Sequence, residues 1–131
     1  MAEYLRSNAP HVDLVLSSSA LRTRQTLERM TKAFGEAEIA VEDELYGASD
    51  GELLERLRRV AEGDGTVVLI GHNPGIHDLA TALAGSGEGL ERLRAKFPTG
   101  ALAVLEFDGP WRRLSGGGTR LASFVTSKDL A

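Results

Sequence analysis

The 131-residue sequence contains no cysteine, and aromatic residues make up only 5% of it. Without cysteine the chain has no disulfide framework, no thiolate zinc site and no cysteine nucleophile. This composition is compatible with the reducing cytoplasm, where we expect the protein to be located. We interpret Phe107 and Trp111 as packing groups of a hairpin rather than as a base-stacking platform for nucleic acid.

Long apolar runs and a basic field are missing as well. No apolar run approaches the roughly 18 to 20 residues of a membrane span, and the opening MAEYLRSNAPHVDL lacks the regions of a signal peptide. The formal net charge is −4, and the basic residues are scattered among acidic ones. We therefore expect a soluble protein whose partners include neither a membrane nor nucleic acid. The length fits a single domain over residues 1–131.

Short apolar runs alternate with segments of helical periodicity over the first two thirds of the chain. This spacing predicts strands at 11–17, 38–43 and 66–70, and helices at 19–35, 49–63 and 75–85. Ser19 is the expected cap of the first helix, and Ser49 with Glu52 has the spacing of a capping box. Gly35 and Gly63 are the expected ends of the first two helices.

The order of these elements predicts an α/β fold, a three-layer sandwich with a largely parallel sheet. Residues 66–70 are apolar throughout, which is typical of a strand covered on both faces. Beyond them, 101–114 and 119–125 alternate more clearly and predict a late antiparallel hairpin. In sheets of this kind the reactive groups lie beyond the carboxyl ends of the strands.

Two predicted strand ends open into polar residues that can bind an anion. Arg22 falls in the first turn of the helix that follows 11–17, where free N–H groups and the helix dipole favour negative charge. His72 follows 66–70 directly, where its ring can donate to a phosphoryl oxygen or exchange a proton. The two strands end at the same edge of a parallel sheet, so we expect Arg22 and His72 to lie near each other.

Each of these residues also has an ordinary structural interpretation. An arginine early in an amphipathic helix is commonly a solvated side chain, and a histidine in a turn is commonly held by a hydrogen bond. A metal site built from His72, His77 and Asp78 is not expected, because the two histidines are five positions apart with Pro74 between them. We interpret His77 as a helix-surface or supporting residue.

Three further residues are weaker candidates at the same strand ends. Glu44 follows the strand at 38–43 and has the chemistry of a general acid, with a solvated loop carboxylate as the competing interpretation. Ser17 lies in no G-x-S-x-G turn, so it is more typical of a strand end than of a nucleophile. Asn73 follows His72 in the sequence GHNPG, which is not a P-loop. His11 is expected in a loop.

Several stretches resemble the histidine phosphatase superfamily, in particular its SixA-type phosphohistidine phosphatases. DLVLSSSALRTRQT is similar to the segment that carries one phosphate-binding arginine in that family, and VVLIGHNPGIHDLATALAG to the segment that carries its second histidine. The closing stretches FPTGALAVLEFDGPWRRL and LASFVTSKDL are also similar to the family's ending. The resemblance implies the phosphoglycerate mutase-like fold of these enzymes.

The resemblance also implies an activity, the hydrolysis of phosphohistidine or phosphomonoesters through a phosphohistidine intermediate without a metal or other cofactor. By position, Arg22 matches a phosphate-binding arginine, and His72 matches the second histidine, which binds the phosphoryl group and takes part in catalysis. Glu44 lies where some relatives have an acid. The implied partner is a phosphorylated substrate, either a phosphoprotein or a small phosphate ester.

The sequence departs from this family in one respect. The family's first strand runs into an Arg-His-Gly or Arg-His-Ala motif that carries the nucleophile, and no Arg-His pair occurs in these 131 residues. Three explanations stay open: a truncated product of a phosphatase, a shortened relative that binds phosphorylated ligands without hydrolysing them, or a chain that completes its sheet as a homodimer or strand-exchanged oligomer. We therefore expect impaired turnover, with a non-catalytic phospholigand-binding or interaction module as the alternative function. An α/β domain with no anion site remains a third possibility.

Overall fold

The computed structural model describes residues 4–5 and 11–130. Contacts group the chain into two compact units, Met1–Ala48 with Ala61–His72 and Ser49–Val60 with Asn73–Ala131. Within the described residues, no helix has the length and apolar character that crossing a membrane requires.

The first unit contains a parallel sheet of three strands. Its regular elements are β1 (Leu14–Ser18), α1 (Leu21–Met30), β2 (Glu38–Glu42) and β3 (Val67–Ile70), with 3-10 turns at Thr31–Ala33 and Asp43–Leu45. The strand order is β2-β1-β3, and both pairings are parallel. The predicted parallel α/β arrangement is therefore confirmed in this part of the chain.

The central and edge strands of this sheet differ in burial. All five residues of β1 are buried, whereas all four residues of β3 are only half-buried. The expectation that β3 is covered on both faces is therefore wrong in the extent of burial, since its side chains are half-buried and not fully buried. The physical reason is its position, because β3 is an edge strand and no strand among the described residues pairs with its second edge.

The first helix begins later and ends earlier than the sequence predicts. Its N-cap residue is Ala20 and no side chain caps it, so the prediction of Ser19 as the cap is wrong. The helix ends at Met30 and continues as a 3-10 turn, which buries Phe34 before Gly35 adopts a positive φ of 59°. The predicted extent to Gly35 therefore includes a turn that is not α-helical.

The second unit contains three helices and a second sheet. Its regular elements are α2 (Asp50–Arg58), α3 (Gly75–Leu83), β4 (Ala84–Ser86), α4 (Leu90–Ala95), β5 (Leu102–Glu106) and β6 (Thr119–Val125), with a 3-10 turn at Trp111–Arg113. The strand order is β4-β6-β5, parallel between β4 and β6 and antiparallel between β5 and β6. The predicted late antiparallel hairpin is confirmed, and Phe107 packs against Trp111 at 4.9 Å between ring centroids.

The cap of α2 agrees with the sequence, but its end does not. Ser49 and Glu52 form the predicted capping box, with Ser49 Oγ accepting from the Glu52 N–H. The helix ends at Arg58, and the backbone N–H of Arg59 donates to the carbonyls of Arg56 and Leu57. This tightening of the last turn ends α2 before Gly63.

The helix predicted at 75–85 stops two residues early, because the chain changes direction to form β4. A Cβ on Gly85 would collide with the backbone of Gly117, so the close approach beside β6 requires glycine. The short α4 was not predicted, although its Leu93 is fully buried in a core cluster with Leu121 and Phe124.

Candidate functional site

The carboxyl ends of β1, β2 and β3 form one edge of the first sheet. Ser17 is aligned with Ile70 of β3, and Ser18 is aligned with Glu42 of β2. Neighbouring strands of a sheet lie about 4.8 Å apart, so the segments leaving the strands start close together. The expectation that the strand before Arg22 and the strand before His72 end at the same edge is confirmed.

A carboxylate at the other end of the sheet supports this alignment. Asp13 Oδ2 accepts hydrogen bonds from the backbone N–H groups of Gly65 at 2.8 Å and Thr66 at 3.1 Å. These bonds tie the residue before β1 to the residues before β3. The register that places the two strand ends side by side therefore has a side-chain anchor as well as the backbone ladder.

The turn from β1 into α1 is held by hydroxyl groups. Ser17 Oγ donates to the Ser18 carbonyl at 3.0 Å, and Ser18 Oγ accepts from the Ala20 N–H at 3.1 Å. Thr23 Oγ1 lies 2.8 Å from both the Ser18 and Ala20 carbonyl oxygens. All these groups are buried or nearly so, and Ser17 is completely buried. Ser17 thus helps to shape the turn and does not present its hydroxyl to solvent.

Arg22 is the second residue of α1 and lies in its first turn. Its side chain is exposed, and within the part of the chain that the structure describes its guanidinium has no hydrogen bond or ion pair. No acidic residue occupies this turn, and no side chain caps the helix. Free backbone donors, the positive end of the helix dipole and a permanent cation therefore coincide at the end of β1.

His72 is the second residue after β3, and its side chain is half-buried. Among the described residues, no hydrogen bond engages its ring. The other two histidines differ: His77 Nε2 donates to the Leu93 carbonyl at 2.6 Å, and His11 is exposed with Nε2 3.5 Å from Asp13 Oδ1. The interpretation of His72 as a hydrogen-bonded turn residue therefore has no support, whereas His77 fits that description well.

Asn73 and Glu44 occupy different surroundings. Asn73 Nδ2 donates to the Phe97 carbonyl at 2.7 Å, so its amide anchors the segment after α4. The peptide bond from Asn73 to Pro74 is cis. Glu44 is exposed in the 3-10 turn that follows β2, at the same sheet edge as Arg22. In the described ranges, no group of three or more His, Asp or Glu side chains has the arrangement of a metal site.

Comparison with known proteins places this arrangement in a family. No family model matches the chain. The chain is 40% identical over 125 residues to an uncharacterized protein of Mycobacterium tuberculosis, and 33% identical over 124 residues to one of Mycobacterium leprae. The matches span 77% and 75% of those two proteins.

A solved structure decides the assignment. The provisionally named phosphohistidine phosphatase SixA from Nakamurella multipartitia superimposes with a TM-score of 0.81 at 33% identity, over 95% of this chain and 76% of that one. This chain belongs to the SixA-type branch of the histidine phosphatase superfamily.

Two further structures of SixA-type proteins agree with this assignment. The provisionally named SixA from Agrobacterium tumefaciens has a TM-score of 0.78 at 32% identity, over 95% of this chain and 74% of that one. The protein histidine phosphatase SixA complexed with tungstate has a TM-score of 0.77 over 99% of this chain and 78% of that one. At 24% identity, the latter shows a shared fold alone. The phosphatase-family fold expected from the sequence is therefore confirmed.

Sequence reasoning missed two residues that build the SixA-type strand ends. Thr23 was not singled out, although a threonine at the third position of a helix commonly bonds back to the backbone before it. Asp13 was not predicted to have a role, because the N–H groups that donate to its carboxylate lie 52 and 53 residues further along the chain. No local pattern in the sequence reveals such a distant pairing.

Proposed function

We propose that Arg22 and His72 bind the phosphoryl group of a phosphorylated substrate, as part of a phosphatase that acts on phosphohistidine or phosphomonoesters. The observation that carries this proposal is the unused bonding capacity of both side chains at one sheet edge. Arg22 is a clamp for the phosphoryl oxygens through its planar set of donors. His72 stabilises the charge on the phosphoryl group and is in a position to donate a proton.

The names of the relatives support the substrate class. Two neighbours at 32% and 33% identity carry the provisional name phosphohistidine phosphatase, and a more distant one was solved with tungstate, an oxyanion shaped like phosphate. We therefore propose a phosphorylated protein as the substrate and the cytoplasm as the compartment. Ser17 is proposed to support the turn that carries Arg22, while Asn73 and Glu44 are weaker candidates, Glu44 as a general acid.

Ligand-dependent stabilisation of the folded chain tests the binding step. A ligand that binds only the folded state stabilises it by about 2.7 kcal/mol at a concentration about 100 times its Kd. We expect inorganic phosphate and tungstate to raise the melting temperature of the wild-type chain. Arg22→Ala and His72→Ala should each remove most of this rise. Arg24→Ala is the matched control, because it removes an equally exposed arginine of the same helix.

Loss of the rise in Arg22→Ala and His72→Ala with its retention in Arg24→Ala supports the proposed site. An equal rise in all four proteins would mean that the oxyanion binds elsewhere. No rise in the wild-type chain would remove the basis for a phosphoryl site at this edge.

A non-catalytic phospholigand-binding module is the second candidate, favoured by the absence of an Arg-His pair from the 131 residues. We expect these residues by themselves to bind a phosphoryl group with little hydrolysis, because no histidine is placed as the family's nucleophile. Release of phosphate from an aryl phosphate, measured under conditions where tungstate binds, separates the two functions. Sustained turnover that His72→Ala abolishes would contradict the non-catalytic alternative.

A further inference from the structure

Helix α1 carries three exposed arginines. Within the described residues, Arg22, Arg24 and Arg29 take part in no hydrogen bond or ion pair through their side chains. The only acidic residue in α1 is Glu28. The whole chain has a net charge of −4, so this helix is a local concentration of positive charge on an acidic protein.

The arginines of the other helices are engaged by partners. Arg58 of α2 bonds Glu55 at 2.6 Å and the Leu114 carbonyl at 2.8 Å. In α4, Arg92 bonds Asp129 at 2.8 Å, and Arg94 bonds Glu91 at 3.4 Å. Within the described residues, the α-helical arginines without partners therefore belong to α1, although Arg112 and Arg113 in the 3-10 turn also have none.

Two of the α1 arginines lie on one face of the helix. Arg22, Thr26 and Arg29 are four and three positions apart, and residues at these spacings are neighbours on a helix surface. Thr26 bonds back to the Arg22 carbonyl and presents no charge. Arg24 is rotated away from this line and lies on the other flank of the exposed surface. We call Arg22, Thr26 and Arg29 the arginine stripe.

The stripe begins at the proposed phosphoryl site and runs away from it. Arg22 lies in the first turn of α1, and Arg29 lies seven residues further, about 10 Å along the axis at 1.5 Å per residue. An extended peptide covers about 3.3 Å per residue, so this length corresponds to about three residues. Charge complementarity of this kind favours a negatively charged segment and increases its rate of association.

We propose that the arginine stripe docks an acidic segment of a phosphoprotein substrate, with a carboxylate about three residues from the phosphorylated residue held by Arg29. This inference rests on the proposed function, because it places the phosphoryl group at Arg22 and His72. It adds a determinant of substrate choice outside that site. The Arg29 guanidinium binds the substrate and takes no part in the chemical step.

Three phosphoserine peptides of equal length test this inference at low ionic strength, where exposed charges are least screened. In the first, glutamates stand three residues to either side of the phosphoserine; in the second, they stand adjacent to it; in the third, glutamines replace them. Affinities for these peptides and for inorganic phosphate are measured with the wild-type chain, Arg29→Glu and Arg24→Glu. The last variant is the matched control, with the same charge reversal on the same helix.

We expect the wild-type chain to prefer the first peptide, and Arg29→Glu to weaken that binding by about fivefold while leaving inorganic phosphate within about twofold. Arg24→Glu should retain the preference. Equal affinity for the three peptides, or equal losses in the two variants, would overturn the stripe while leaving the phosphoryl site intact. Failure of inorganic phosphate and every peptide to bind would instead overturn the proposed function.

Discussion

At the residue scale, Thr23 holds the first turn of α1 against the end of β1. Its buried hydroxyl lies 2.8 Å from two carbonyl oxygens, those of Ser18 and Ala20. Thr23→Val removes the donor, so we expect the free energy of unfolding to fall by about 1 to 3 kcal/mol. Because the turn positions Arg22, affinity for phosphate should fall too.

Urea unfolding and phosphate titration of Thr23→Val and Thr23→Ser check this expectation. Thr23→Ser keeps the hydroxyl and should behave like the wild type in both measurements. Identical behaviour of the two variants would show that the hydroxyl does not position the helix.

Asp129 is a second residue whose partners make a definite prediction, this time on pH. The Arg92 side chain donates to its carboxylate, and the Thr126 backbone N–H donates to it as well, which lowers the pKa of Asp129 from 3.8 to about 2. A lowered folded-state pKa means that the ionised group stabilises the fold above about pH 4 and loses this effect as the pH falls through about 2.

Asp129→Asn tests this pH dependence. We expect the variant to melt at a lower temperature than the wild type near neutral pH, with the two melting temperatures converging as the pH approaches 2. The difference should shrink in high salt, because the ion pair with Arg92 is exposed to solvent. A difference that persists unchanged at the acid end would contradict the role of the charge.

The sequence distinguishes the residues at this scale only in part. Arg22 and His72 were identified from their positions after two apolar runs, and the structure places those runs side by side. However, the sequence does not show that His77 is bonded to Leu93 while His72 has no hydrogen-bond partner among the described residues, because Leu93 comes from a helix that was not predicted. The difference between the two histidines depends on tertiary contacts.

At the scale of elements, the second edge of β3 is the least protected part of the first sheet. Among the described residues no strand pairs with it, and Val67, Val68, Leu69 and Ile70 provide no charge or proline to oppose pairing. Unpaired backbone groups on an apolar edge favour the addition of another strand. We therefore expect the chain to self-associate through β3.

Sedimentation velocity over a concentration series checks this expectation, with Val68→Lys as the blocking variant, since an edge lysine disfavours strand addition. Glu38→Lys places the same residue in β2, the strand at the opposite edge of the same sheet, and serves as the control. Association that Val68→Lys removes and Glu38→Lys preserves is the predicted result. A wild-type chain that stays monomeric at every concentration would contradict it.

The elements that could be predicted are those with a long periodic pattern or a cap. The capping box of α2 and the alternation of apolar and polar residues in β5 and β6 could be recognised in the sequence, because each pattern involves residues that are close together in the chain. By contrast, β4 has three residues and α4 has six, too few for a period to emerge. Both are stabilised by partners that are distant in sequence: β4 pairs with β6, and Leu93 of α4 packs in a cluster with Leu121 and Phe124.

At the scale of the whole molecule, the assignment to the SixA-type branch rests on similarity along most of the chain and not on any single residue. The similarity to the SixA-type structure from Nakamurella multipartitia covers 95% of the chain, far more than the segments that resemble the family in sequence. The fold was predictable because those segments are long and specific. The functional state was not, because the proposed phosphoryl-binding residues Arg22 and His72 are present while no Arg-His pair occurs in the sequence.

We propose that a phosphoryl group binds at His72, and the three histidines of the chain allow a direct test of this proposal. In an NMR titration of the imidazole signals with tungstate, His72 should shift in a saturable manner, while His11 and His77 should stay almost unchanged. Arg22→Ala should weaken the response, and Arg24→Ala should preserve it. A saturable shift confined to His72 is the predicted result; equal shifts at all three histidines, or a shift at His11 or His77 alone, would contradict the account.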